Sequence, residues 1–334
     1  MANLSLNVRE QTWGTRKGCD GLDRACSRLR GDLSVLGLRV GIRALMPVCD
    51  VEVTDIARVG METGAMTVPS ADEVRGWPYV RLLAAMRESN LPPGGLDTVR
   101  RFAVELGLGP HTNVLHAGCN SGFLSRELAR RTGCQVLGID ISPDMAAAAN
   151  ARSESEGLAH LARYEHRDMR DTGLDAASFD VVLSGGALAF VIDQPRAVAE
   201  WLRLVKPHGL VANSELWYHA EPPQQLLDKV AELIGVPVPR YTRDHWRELY
   251  NSPRLQPWAL HDAEAGARTV EEVERYCAQM VDHVAVGWDD SAREALNERL
   301  LDIFLTFNQN MEYLSYTFFA YRVLPAGAEP LLYV

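Results

Sequence analysis

The apolar positions change period several times along the chain, and the changes divide it. Between residues 113 and 216, short apolar runs alternate with helical stretches. Asn113–Ala117 (Asn-Val-Leu-His-Ala) reads as a strand, followed by Gly118-Cys-Asn-Ser-Gly122 and a helical run to Thr132, which Gly133 stops. Residues 135–139 form a second strand ending at Asp140, and Ser142-Pro143 supplies an N-cap and a first-turn proline for the next helix. Further strands are expected at 162–166, 179–184 and 209–215, with a helix at 194–205 ending in the turn Lys206-Pro-His-Gly209. Strands alternating with helices predict βαβ units and a parallel sheet covered on both faces.

On either side the period becomes mostly helical. Ser70 with Glu73 has capping-box spacing, and Pro78 interrupts the helix that follows. Leu96–Leu106 repeats Val99, Phe102, Ala103 and Leu106 on one face, and Gly107 and Gly109-Pro110 stop it. After 216, helices are predicted at 222–234 and 243–251, and from capping boxes at Thr269/Glu272 and Ser291/Glu294. Residues 256–261 have a weaker strand pattern. Tyr313–Val323, rich in aromatic and β-branched residues, has a strong one. Residues 1–65 show no convincing period beyond alternation at 36–45, and are expected to be a poorly ordered or irregular extension.

The domain organisation expected is therefore 1–65 extension, 66–112 cap helices, 113–216 core, 217–310 mainly helical cap and 311–334 closing strand. The fold class expected is α/β: a Rossmann-like three-layer sandwich with a mostly parallel seven-stranded sheet, an antiparallel final strand and a helical cap.

Composition narrows the function. The net charge of -10 argues against nucleic acid, whose phosphates need clustered Lys and Arg. No apolar run approaches the length of a membrane span, and the first 20 residues lack a secretory core, so the expected compartment is cytoplasmic. The six cysteines contain no Cys-x-x-Cys pair, and no metal site is expected.

The glycine turn after the first strand brings backbone N–H groups close to a ligand. Asp140, 22 residues after Gly118, suits ribose hydroxyls. A dinucleotide fingerprint would need a glycine at Asn120 and another at Phe123, so the turn suits a cofactor without a pyrophosphate.

The ordered set Val114–Gly122, Val136–Asp140, Phe179–Leu183 and Leu202–Leu210 resembles the class I S-adenosylmethionine-dependent methyltransferases, over residues 95–216 plus 313–323. The detail is closest to the small-molecule branch related to quinone-biosynthesis enzymes. The resemblance implies S-adenosyl-L-methionine as cofactor. It implies a first turn (His116, Gly118, Cys119, Asn120, Gly122) around the methionine part, Asp140 with Ile141 at the ribose, Asp168 with Met169 at the adenine, and Ser184 at the end of the fourth strand. The family usually has Asp or Glu at His116 and Gly at Asn120, so the polar anchor for the cofactor's amino group is altered here.

Acceptor chemistry belongs beyond the carboxyl ends of the strands. His219 is the candidate general base, or else a structural histidine. Trp77, Trp217, Tyr218, Trp246 and Tyr250 either line an apolar acceptor pocket or fill cores. Glu215 either contacts the acceptor or sits in an ion pair. The Asn/Asp-Pro-Pro-Tyr signature of amino-methylating enzymes is absent after the fourth strand. The expected activity is methyl transfer to an O, N or C atom of a small, aromatic or apolar acceptor. The alternatives left open are a non-catalytic cofactor-binding protein acting through a partner, and a cofactor-binding cyclase or isomerase. Expected partners are a small-molecule acceptor and, as an option, a second copy in a homodimer, with neither nucleic acid nor membrane.

Overall fold

The computed structural model describes residues 68–85, 91–325 and 327–328, within the compact unit Met61–Val334. The expected extension at 1–65, with its alternation at 36–45, lies outside the described residues.

Seven strands form one sheet: β1 Asn113–Ala117, β2 Gln135–Asp140, β3 Ala162–His166, β4 Phe179–Ser184, β5 Val205–Tyr218, β6 Leu255–Glu264 and β7 Leu314–Val323, in the order β3-β2-β1-β4-β5-β7-β6. The pairings among β1 to β5 are parallel. β7 inserts antiparallel between β5 and β6. The order reverses between β1 and β4, which opens a crevice at their carboxyl ends.

Alternation along the strands separates two cores. Val181, Leu183 and Phe318 face one side, packed with Phe102 of helix α3 (Gly95–Glu105), Leu124 and Leu128 of α4 (Phe123–Thr132) and Ala146 and Ala149 of α5 (Pro143–Ser155). Their neighbours Val182 and Phe319 face the other, packed with Trp201 of α6 (Gln194–Leu204) and Trp246 of α8 (Arg243–Leu249). α1 (Ala71–Arg75), α9 (Val270–Val284) and α10 (Asp290–Met311) build a third core around Trp77, Cys277, Leu296 and Leu300. Two further helices, α2 (Tyr79–Ala85) and α7 (Gln224–Ile234), complete the cap. Segment 217–310 thus also supplies the edge strand β6.

Local rules explain most boundaries. Ser70 and Thr269 make full capping boxes with Glu73 and Glu272. At α10 the cap is Asp289, two residues earlier than the Ser291/Glu294 box suggests: Asp289 Oδ1 accepts from Ala292 N at 2.8 Å, and Ser291 Oγ donates to the same carboxylate at 2.6 Å. A carboxylate meeting the free N–H groups of a first turn outcompetes a hydroxyl. The expected turn at 206–209 lies inside β5 as an irregularity, with His208 at φ 65° and a register shift opposite Phe179 and Val181. No helix among the described residues is long and apolar enough to cross a membrane.

Candidate functional site

The loop between β1 and α4 sits at the switch point. Gly118 has φ 72° and Gly122 φ 83°, both left-handed. Space is as decisive as backbone angle. A Cβ on Gly118 would fall 2.2 Å from the Ala187 Cβ and 3.1 Å from Met169 Cε, and one on Gly122 would fall 2.7 Å from the Tyr164 ring. Asn120, at φ 48°, takes the left-handed conformation that Asn tolerates, and its Oδ1 accepts from Ser121 N at 2.6 Å.

Asp140 ties this loop to β2. Its Oδ2 accepts from Asn120 N at 2.8 Å and its Oδ1 from Ser142 N at 2.9 Å. Each carboxylate oxygen keeps a lone pair free, enough for two further hydroxyl donors. Gly118 N and Cys119 N both donate to Ile139 O, so β1 and β2 hold the loop from two strands. Behind it, Arg126 is buried, donating from Nη1 to Ser121 O at 2.7 Å and pairing through Nε with Glu156 at 3.0 Å. Tyr164 donates to Gly122 O at 3.1 Å and lies against Gly138, where a Cβ would come within 2.4 Å of its ring.

His116 is buried, with Nδ1 2.8 Å from Ser125 Oγ on α4. Burial pushes its pKa down to about 3, so the imidazole is neutral. Cys119 is also buried. Burial, and then the Asp140 charge, push its thiol well up, which leaves it an unreactive small residue. Ile141 is 65% exposed beside Asp140, an apolar side chain free to cover a flat ligand. Asp168 is engaged differently from expectation. Arg170 donates to it from its backbone N, Nε and Nη2, holding its carboxyl below the usual range, so an adenine amino group would have to share an occupied acceptor. Residues 91–94 lie across the cleft. Pro92 packs at Gly185 and Pro93 at Gly186, and Pro93 O accepts from Thr98 Oγ1 (2.6 Å) and Ser214 Oγ (2.9 Å). The cleft lined by Pro92, His116, Gly118, Cys119, Asn120, Leu124 and Gly185 measures only about 10 Å³.

The ends of β4 and β5 carry a second polar group. Ser184 pairs with Asn213 across the strands, and Glu215 follows two residues on, so all three side chains share one sheet face. All are fully buried. Asn213 Nδ2 donates to Glu215 Oε1 (3.0 Å) and to the Tyr250 phenol (3.1 Å). Ser184 Oγ and Glu215 Oε2 have no partner. Burial pushes the Glu215 carboxyl up to about 8, against the pull of Asn213 and the Leu188 backbone N–H. The ion pair considered for Glu215 is overturned: among the described residues no Lys, Arg or His lies in salt-bridge contact with it, and the groups that meet it, the Asn213 amide and the Leu188 N–H, are neutral.

Several expected acceptor residues are core. Trp77 packs edge-on against Trp288 in the cap. Trp246 is fully buried, donating to Leu216 O at 2.9 Å, and Tyr250 stacks on Tyr321. Trp217 Nε1 donates to Thr317 Oγ1, and Tyr218 bonds Asn310 on the opposite face. His219, the candidate base, lies on the β5 extension with Nδ1 2.9 Å from Ser315 Oγ, roughly 13 Å along the strand from Glu215. Sequence reasoning missed Tyr164, Arg126, Ala187 and Asn213. Gly138 inside a strand was the one signal of a close approach there.

Residues 115–213 match the family model described as a methyltransferase domain. This matched segment, from β1 into β5, carries a methyltransferase domain. A protein of Haemophilus influenzae is 27% identical over 170 residues, covering 50% of this chain and 68% of its own. The ubiquinone biosynthesis O-methyltransferase of Psychrobacter cryohalolentis is 32% identical over 130 residues, covering 39% of this chain and 50% of its own. The match thus spans about two thirds of the first relative and half of the second. Among solved structures, the MccD protein superposes with TM-score 0.60 at 23% identity, over 70% of this chain and 100% of its own, a likeness of fold. The matched segment includes the loop and its glycines 118 and 122, where a Cβ would clash.

Proposed function

We propose that the chain transfers the methyl group of S-adenosylmethionine to an O, N or C atom of a small organic acceptor. The observation that carries this reading is Asp140, whose carboxylate accepts two loop N–H groups and keeps two lone pairs beside a turn that admits no Cβ at Gly118. When bound, the cofactor supplies an electrophilic methyl group on a sulfonium, and the protein's task is orientation and exclusion of water. In this reading Asp140 receives the ribose hydroxyls, with Ile141 and Met169 against the adenine. Neutral His116 offers one ring nitrogen toward the methionine end while Ser125 holds the other. Admission of the cofactor moves segment 91–94 away from Gly185, against its two hydrogen bonds to Pro93 O. Ser184 and Glu215, each with an oxygen lacking a partner, face the acceptor side.

Isothermal titration of the full chain with S-adenosylmethionine tests the site. The wild type should bind, and Asp140→Ala should weaken binding at least tenfold. Absence of binding, or an unchanged affinity in the variant, overturns the assignment. Incubation with a metabolite extract and isotopically labelled methyl donor then tests the reaction. A product heavier by one labelled methyl supports transfer, and a product isomeric with its precursor supports the cyclase or isomerase alternative instead.

A further inference from the structure

Residues 91–94 lie across the cofactor cleft as a strap, and the way it is fastened is informative. Pro92 and Pro93 have no N–H groups to donate. Pro92 O accepts from Gly95 N at 2.7 Å, which closes a turn within the strap itself. The strap is fastened to the rest of the protein at the Pro93 carbonyl. That oxygen accepts from Thr98 Oγ1 of α3 at 2.6 Å and from Ser214 Oγ of β5 at 2.9 Å. Both hydroxyl residues are fully buried. The chain leaves the strap through Gly94 and Gly95, at φ 85° and 61°. A Cβ at Gly94 would fall 2.3 Å from Thr98 Oγ1 and 2.5 Å from the Tyr316 ring, so this seat takes only glycine.

On its other side the strap occupies ligand space. Pro92 lines the cleft beside His116, Gly118 and Asn120. Its Cβ lies 3.1 Å from where a Cβ on Gly185 would fall, and Pro93 Cδ lies 3.0 Å from the same point on Gly186. The space left, about 10 Å³, is the room of about one water. A ligand with a methionine, a ribose and an adenine cannot share the cleft with the strap in this position. Closure and binding are therefore alternatives, and the apparent affinity is lowered by the fraction of molecules that are closed. Neither Thr98 nor Ser214 lines the cleft, so loosening their hold acts on the strap and not on ligand contacts. These two hydrogen bonds help the closed form and oppose the ligand.

We infer that the 91–94 strap is an autoinhibitory gate on the cofactor cleft, latched by Thr98 and Ser214 on the Pro93 carbonyl and jointed at Gly94 and Gly95. The inference rests on the reading of the cleft as the S-adenosylmethionine site. It predicts an effect of unusual sign: weakening the latch strengthens binding, whereas losing a cradle contact such as Asp140 weakens it.

Titration of the full chain with S-adenosylmethionine tests that sign. Ser214→Ala and Thr98→Val each remove one hydroxyl at little change of shape, and each should tighten binding roughly threefold to tenfold. A reversible lock tests the gate from the other side. Pro92→Cys combined with Gly185→Cys sets two Cβ atoms 3.1 Å apart, a few tenths of an ångström short of disulfide spacing. The oxidised double variant should lose S-adenosylmethionine binding, and dithiothreitol should restore it, with oxidised wild type as the control for the natural cysteines. The gate is overturned if both latch variants bind like the wild type or more weakly, or if the double variant, its cross-link confirmed by mass, binds as well oxidised as reduced. Absence of binding by every form overturns the cofactor reading, and the gate with it.

Discussion

The two sides of the crevice at the carboxyl ends of the strands differ in how their polar groups are satisfied. On the β1/β2 side nearly every donor and acceptor is met within the protein: Asp140 by Asn120 and Ser142, Arg126 by Ser121 and Glu156, His116 by Ser125, Tyr164 by Gly122. On the β4/β5 side, Ser184 Oγ and Glu215 Oε2 are buried with nothing to bond. A self-satisfied cradle holds one shape and suits one invariant ligand. Buried polar atoms without partners raise the energy of the protein alone, and a ligand that pairs them recovers that energy. The difference fits the proposed division between a cofactor side and an acceptor side.

The largest effect should come from filling the cradle. Gly118→Val places side-chain atoms against Ala187 at a left-handed backbone angle, and should abolish S-adenosylmethionine binding and lower the melting temperature. Calorimetry with a melting scan checks both; retained affinity would show that the cradle is not where the ligand sits.

On the other side, Glu215 should make stability depend on pH. Its folded pKa of about 8 lies above the ordinary carboxyl value of 4.5, so the folded state binds the extra proton between these values. Stability therefore falls as pH rises from about 4.5 through 8. Glu215→Gln should remove that slope, gaining roughly 3–5 kcal/mol on the wild type across the window. Urea unfolding at pH 5 and pH 9 measures it.

A smaller effect tests the support of the cradle. Arg126→Met strips the acceptor pairing from Ser121 O and Glu156, and should cost about 2 kcal/mol with a severalfold loss of cofactor affinity, read by denaturation and titration. The smallest stability change should follow Ser184→Ala, within about 0.5 kcal/mol, since Oγ has no bond to lose. If Ser184 faces the acceptor, turnover alone should change, with S-adenosylmethionine affinity intact.

Much of this architecture was legible before any coordinates. Period-2 and helical runs located the strands within a few residues, and the missing third glycine with Asp140 pointed to the cofactor family. The acceptor side was not legible. His219 and Glu215 are both polar residues near the end of one strand, and nothing in their spacing tells which is enclosed. Trp77, Trp246 and Tyr250 look alike in sequence whether they line a pocket or fill a core. Ser291 and Glu294 have capping-box spacing, and only geometry shows that the oxygen meeting Ala292 N belongs to Asp289.

The sequence by itself determined the order of strands and helices, the glycine turn and its carboxylate, because these follow from local backbone preference and from side-chain periodicity. Only the tertiary structure decided which polar groups are matched and which are left over. Whether Arg126 is met by Glu156, or Glu215 left without a cation, depends on elements far apart in the chain meeting in space. Burial, which sets the cost of an unmet charge, belongs to that meeting and not to any one segment.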